Sequence, residues 1–313
     1  MGRTFRHVLG RCLSPLVIWL AVVGSAQALT EVRDQEQILA AGTLRVAVYR
    51  DFPPYSFTVE GEPRGVDVAI ARELAADLGV ELRLHWLAPD ETLGDDLRNA
   101  IWKGHYLRPG QIADVMMRVP YDRDYAFRMN ALGEVENELV HMFAPYQVER
   151  WQLAYDAERL DGVASLALFQ HHPIGVQIDQ IPDFYLSSAF RGRLNAQTHR
   201  YRTPRQAFQA MHDGEVAAMM AMRAQVEWLL GEADAPDGRY RLADEAFPQL
   251  GKRQWQLGLA VHEVNRSLAY ALEDTIMRLI RSGEMARLYA AYHLGYEVPA
   301  MYRSLRAAED APP

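Results

Sequence analysis

Cysteine is almost missing from this chain of 313 residues; the single one is Cys12. It precedes an apolar run at 13–23 that follows Arg3, Arg6 and Arg11 and leads into Ala26-Gln27-Ala28. Basic residues, an apolar run and small residues in that order make a secretory leader, and the spacing predicts a signal peptide over 1–28 with cleavage after Ala28. The mature chain then carries no thiol, which excludes disulfides, thiolate nucleophiles and cysteine metal sites. Such a composition suits an oxidising compartment, where an unpaired cysteine is a liability. A membrane anchor needs about 20 apolar residues, more than this run supplies. Cys12 is also badly placed for lipid attachment, which should follow the run.

Lysine is scarce too, with only Lys103 and Lys252. Losing the leader removes three arginines and no acid, leaving 30 basic against 41 acidic residues, a net −11. Nucleic acid and anionic membranes select basic patches, so neither is an expected partner. No glycine-rich phosphate loop follows the first predicted strand of either half, which argues against nucleotides. His171-His172 and the single histidines show no metal-ligand spacing, and no cofactor is expected. Met116, Met117, Met219, Met220 and Met222 lie in apolar runs and read as core, because thioethers fill irregular cores well.

What is present is a repeated strand–helix pattern over about 285 mature residues, a length that suggests two domains. Residues 31–41 read as a short helix ended by Gly42, and 43–48 as a strand. The loop at 49–57 carries Pro53-Pro54 among Phe52, Tyr55 and Phe57, aromatics that either cover the core or stack on a ligand. An amphipathic helix at 66–78 and an alternating strand at 80–86 complete a β-α-β unit. Helices are expected at 95–103, 162–169, 183–190, 205–213, 225–230, 266–279 and 285–293. Strands are expected at 138–143, where Pro145 should end the strand, and at 152–155, 174–178, 216–222 and 254–261. Trp102, His105 and Tyr106 read as packing beneath a crevice.

The most informative stretch is 112–127. An apolar run suited to a buried parallel strand meets Pro120, and Tyr121, Asp122, Arg123, Asp124 and Tyr125 follow at once. Ligands in open α/β sheets bind at the carboxyl ends of strands, so this stretch is expected to form one lip of a cleft.

Several segments together resemble the family 3 extracellular solute-binding proteins. They are Gly42-Thr43-Leu44-Arg45-Val46-Ala47-Val48, Pro53-Pro54-Tyr55-Ser56-Phe57, Gly65-Val66-Asp67-Val68-Ala69 and Ala113-Asp114-Val115-Met116. Further on come Ile174-Gly175-Val176-Gln177, the block at 207–218 with Gly214, and Leu279-Ile280-Arg281-Ser282-Gly283-Glu284-Met285. The resemblance implies an α/β, two-lobed periplasmic-binding-protein fold of type II, its lobes joined by two crossing strands near 138–143 and 254–261. Lobe 1 would comprise 29–140 plus 256–313, and lobe 2 141–255.

It also implies a ligand site of Arg123, Tyr55, Phe57, Asp51, Tyr121 and Gln180, in a non-enzymatic monomer. Arg123 matches the arginine that grips an α-carboxylate, because its planar fork meets two oxygens. Tyr55 or Phe57 matches the aromatic that stacks on the ligand. Met222 stands where an acid usually receives the α-ammonium, Ala217 at another usual aspartate, and Gln180 where a small hydroxyl residue usually stands. Losing that charge-assisted bond forfeits on the order of 1.5–3 kcal/mol, so an α-amino acid is a poor expected ligand. Residues 96–107 and 113–120 look like the branch associated with periplasmic PQQ-dependent quinoprotein alcohol dehydrogenases and their cytochromes c. The expected partner is such a dehydrogenase or cytochrome c, with an ABC permease delivering a small carboxylate-type or amino-acid-like solute as the alternative. A few relatives of the fold are dehydratases, for which Asp122 and Asp124 are the candidate acids.

Overall fold

The computed structural model describes Gly2 and residues 32–304, except 234, 244–246 and 248–249. The expected leader (Gly2 apart) with Cys12 and its cleavage point, and the tail at 307–313, lie outside the described residues.

Asp34 caps α1 (Gln35–Ala41): its carboxylate accepts from the Gln37 N–H, the Gln37 side chain accepts from the Asp34 N–H, and Gly42 closes the other end in the left-handed region. Then come β1 (Thr43–Tyr49), the proline loop, and a hairpin of β2 (Phe57–Val59) and β3 (Glu62–Arg64). Helix α2 (Val66–Asp77) returns the chain to β4 (Glu81–Leu87), which lies parallel to β1. The helix expected at 95–103 is instead a short α3 (Leu93–Leu97) running into a wider π-helical turn, Arg98–Trp102. That turn lets Asn99 donate to Asp90 at 2.9 Å while Ala100 and Ile101 stay buried.

Strand β5 (Val115–Pro120) takes Pro120 as its last residue, and Asp122 caps the short α4 (Arg123–Ala126). Pro145 does not end the next strand. β6 (Val140–Asp156) runs through it for 17 residues, joining the two strands expected at 138–143 and 152–155. The ladder is already interrupted there: Ala144 sits at φ 46°, and the register with its neighbour shifts, so the missing proline N–H falls in a bulge. The helix expected at 162–169 is only a 3-10 turn, Leu166–Gln170, started late by its Ser165 cap and followed by Pro173.

The second β-α pattern comprises β7 (Ile174–Gln177), α5 (Ile181–Gly192), β8 (Thr198–Tyr201), α6 (Pro204–His212), β9 (Ala218–Met222) and α7 (Arg223–Gly231). Gly214 separates α6 from β9 in the left-handed region, as its position predicts. Strands β10 (Tyr240–Leu242) and β11 (Gln254–His262) precede α8 (Arg266–Arg281) and α9 (Glu284–Ala290).

Apart from the β2–β3 hairpin the strands form one nine-stranded sheet, in the order β4-β1-β5-β11-β6-β9-β7-β8 with β10 on β6. Lobe 1 has parallel β4, β1 and β5; lobe 2 has parallel β7 with β8 and β9. The two long strands β6 and β11 run antiparallel between them, β6 pairing with β11 through its first half and with β9 and β10 through its second. One apolar cluster extends from Val46, Val261 and Leu272 in lobe 1 to Ala207, Met211 and Val226 in lobe 2, so the core continues across the joint.

Candidate functional site

Three irregularities line up across the centre of the sheet. Arg118 in β5 sits at φ 63°, Ala144 in β6 at φ 46°, and between them Gly258 in β11 marks the register shift. A Cβ on Gly258 would lie 2.4 Å from the Phe143 carbonyl oxygen, so only glycine fits between the bulges. A left-handed conformation costs a non-glycine residue about 1–2 kcal/mol. Here it turns the Arg118 side chain inward, where the residue is only 6% exposed.

A second device delivers Tyr55. Gly65, at φ 117°, opens α2 so closely beneath the proline loop that a Cβ would meet the Tyr55 carbonyl oxygen at 2.1 Å. The Val66 and Asp67 N–H groups donate to the Pro54 and Tyr55 carbonyls at 3.0 and 2.9 Å. The loop is thus bonded to the first turn of α2, and the Tyr55 ring is driven into the seam between the lobes, fully buried.

The Arg118 guanidinium lies over that ring, 3.4 Å from its centroid, with Phe52 at 5.5 Å on the same loop. Its Nη1 donates to Gln147 Oε1 at 2.8 Å and stands 3.7 Å from Asp67 Oδ2. The Tyr55 hydroxyl donates to Glu149 at 2.5 Å, and Gln147 Nε2 donates to the same carboxylate oxygen at 2.9 Å. Tyr146 accepts from the Arg118 N–H at 3.1 Å and donates to Asp67 at 3.0 Å. Met222, at the end of β9, brings its sulfur within 4.0 Å of the Tyr55 hydroxyl. Side chains from β5, β6, β9, α2 and the proline loop therefore meet around one cation.

Burial alone would lower the Arg118 pKa, but Tyr55, Asp67, Tyr146 and Glu149 outweigh it and raise it, so the guanidinium stays charged. Burial pushes the Asp67 carboxyl up, with Arg118 pulling the other way. Burial, then the Glu149 carboxylate, lift the Tyr55 phenol well above its ordinary range and keep it a hydrogen-bond donor. Two buried carboxyl groups surround one buried cation, and Asp67 Oδ2 has no hydrogen-bond partner among the described residues. Removing the cation would leave both acids in a medium that disfavours charge.

The guanidinium inside the seam thus belongs to Arg118, whereas Arg123 is exposed at the start of α4. Tyr121 is 38% exposed and its hydroxyl faces Met301 Sδ at 3.7 Å, and Gln180 is exposed at the start of α5. The seam brings together Tyr55 and Met222. Phe57 packs against Trp228 with ring centroids 5.7 Å apart. Asp51, exposed at φ 51°, lines a crevice of about 250 Å³ beside Phe52, with Gln177, Arg205, Gln225 and Trp228 on the lobe 2 side. Asp122 is engaged twice, accepting from the Tyr125 N–H at 2.9 Å and pairing with Lys252, whose hydrogen bond is the main reason its carboxyl titrates below the usual range. Asp124 is exposed. Sequence reasoning missed Arg118, Asp67 and Glu149 as partners. The available signal was an arginine inside an otherwise apolar strand, since a charge that will be buried needs a partner.

The lobes also meet through the segment after α9: Arg150 pairs with Glu297 at 2.9 Å, Arg223 donates to the Gly295 carbonyl at 2.9 Å, and the Gly295 N–H donates to Glu227 at 2.9 Å. Among the described residues, no group of three His, Cys, Asp or Glu side chains could hold a metal ion, and no helix is long and apolar enough to cross a membrane.

The chain is similar in structure to an ancestral cationic amino acid solute-binding protein, with 18% identity and a TM-score of 0.64 over 83% of this chain and 99% of that one. It is also similar to an amino acid ABC transporter substrate-binding protein from Streptococcus pneumoniae bound to L-arginine, with 19% identity and a TM-score of 0.55 over 82% of this chain and 97% of the other. A cyclohexadienyl dehydratase from Pseudomonas aeruginosa is 30% identical over 128 residues, 40% of this chain, and the match spans 46% of that protein's length. The sequence pattern of the bacterial extracellular solute-binding proteins, family 3, matches residues 44–295. Matched by that pattern over most of its length, the chain belongs to the bacterial extracellular solute-binding proteins of family 3.

Proposed function

We propose that this chain is a non-enzymatic periplasmic binding protein whose interlobe seam is filled by its own arginine and which acts through a protein partner, a PQQ-dependent alcohol dehydrogenase or its cytochrome c. The observation that carries the reading is Arg118, stacked on Tyr55 and surrounded by Gln147, Glu149 and Asp67. A protein of similar fold is bound to L-arginine, and here a guanidinium of the chain itself lies in the interlobe seam. Arg118 also lies within 113–120, one of the two segments that resemble the quinoprotein-associated branch. A joint closed from within suits a surface presented to another protein better than a carrier that must open and close around cargo.

The experiment combines purification from periplasm with a thermal-shift screen of amino acids, small carboxylates and alcohol-oxidation products. A dehydrogenase or cytochrome c identified by mass in the purified complex, with no stabilising amino acid, is the expected result. A permease in the complex, or stabilisation by an α-amino acid, would overturn it. A second reading, the substrate-binding component of an ABC transporter for a small carboxylate or amino-acid-like solute, is supported by the crevice between Asp51 and Trp228. The dehydratase reading has less support, because Asp122 already serves as a helix cap and a partner of Lys252.

A further inference from the structure

A second cavity, of about 220 Å³, lies in lobe 1 at the carboxyl ends of β1 and β4, away from the seam. Arg50, which follows β1, and Arg108 contribute to its lining, His85 and His105 add imidazoles, Trp86 supplies a flat wall, and among the described residues no carboxylate lines it. In a chain with eight more acids than bases, a cavity with only basic charged groups is unexpected from composition.

The loop that carries Arg108 and His105 is a built structure. Gly104, at φ 82°, approaches Gly110 so closely that a Cβ would lie 2.6 Å from its nitrogen. The Gly110 N–H reaches back to the Lys103 carbonyl at 3.3 Å, and the Arg108 N–H donates to the His105 carbonyl at 2.8 Å. His105 Nδ1 accepts from the Leu107 N–H at 3.2 Å, which leaves the ring's other nitrogen as the proton carrier. On the opposite wall, burial and then Arg45 and Arg108 lower the His85 pKa, so Arg108 acts electrostatically on a ring that lines the same space.

We infer that this cavity binds a small organic carboxylate with a flat apolar body. The arginines would receive the carboxylate through charge-assisted hydrogen bonds, and Trp86 with Leu87 and Leu107 would face the body. A cavity of about 220 Å³ has room for a single-ring acid. The site differs from the interlobe seam and stands whether or not Arg118 closes that seam.

Calorimetric titration of the full mature chain with benzoate tests the inference, with benzyl alcohol and inorganic phosphate as comparison probes. Saturable one-to-one binding of benzoate is expected, with benzyl alcohol and phosphate each weaker by about tenfold or more. Arg50 and Arg108 are exposed, so R50Q and R108Q should leave the fold unchanged while each weakens benzoate by a similar factor. No benzoate binding, or binding unchanged in the R50Q/R108Q double variant, would overturn the site. Phosphate binding as tightly as benzoate would overturn the assigned ligand class.

Discussion

Replacing Arg118 with methionine keeps most of the side-chain volume and removes the charge, leaving Asp67 and Glu149 buried without their cation. Removing one partner of a buried charge cluster costs about 3–5 kcal/mol, because the remaining charge keeps its desolvation penalty. Stacking on Tyr55 at 3.4 Å adds to the loss, since a desolvated cation over an aromatic face contributes about 2 kcal/mol. Some stability returns as Asp67 takes a proton, the direction in which burial already pushes it, so a net loss near 4 kcal/mol is expected by the same rule. For a chain of this size that lowers the melting temperature by about 10 °C, measurable by calorimetry at pH 7. Adding D67N and E149Q to R118M should recover much of the loss, because no unpaired charge then remains. In R118G, millimolar methylguanidinium should raise the melting temperature by occupying the vacated place. An R118M melting point within about 1 °C of wild type, or an equal drop in R123M, would refute the buried-cation reasoning.

Gly258→Ala places a Cβ against the Phe143 and Ala144 carbonyls at 2.4 and 3.2 Å, so urea melts should show a loss of about 1–3 kcal/mol. Asp122→Ala removes the α4 cap and the Lys252 pair, with an expected cost near 1 kcal/mol. Because the Asp122 pKa is lowered in the fold, its contribution is complete above the ordinary value of 3.8 and disappears as pH falls through the folded value, so wild type and D122A should converge in acid melts. Burial lowers the pKa of His85, His141 and His262 from 6.5, so the unfolded chain binds more protons below that value. Urea stability should therefore decline between pH 7.5 and 5.5, and a variant with all three changed to glutamine should show a flatter profile.

Much of the fold is legible because its signals are local. Gly42 and Gly214 mark real breaks, the alternation before Trp86 is a real strand, and the apolar period of α8 is one face of a real helix. Pro145 misleads because its effect depends on a neighbour. A proline ends a strand whose ladder needs its N–H, but Ala144 already bulges opposite Gly258, so β6 continues. The site is half legible. Tyr55, which the resemblance implies as a ligand residue, lies in the seam, yet Arg123, the obvious clamp by position, is exposed, while Arg118, five residues earlier, enters the seam.

By itself the sequence determined the α/β order and the absence of a cysteine framework, since periodicity, turn residues and composition act over short stretches, and the family follows from its match to the family pattern over 44–295. Tertiary structure alone decided which charge is buried. Asp67, Arg118 and Glu149 lie on three separate elements and meet only because β5, β11 and β6 bulge in line and Gly65 presses the proline loop onto α2. Whether an ionisable side chain becomes a partner or a surface charge depends on the dielectric and donors around it, and those come from residues far away in the chain.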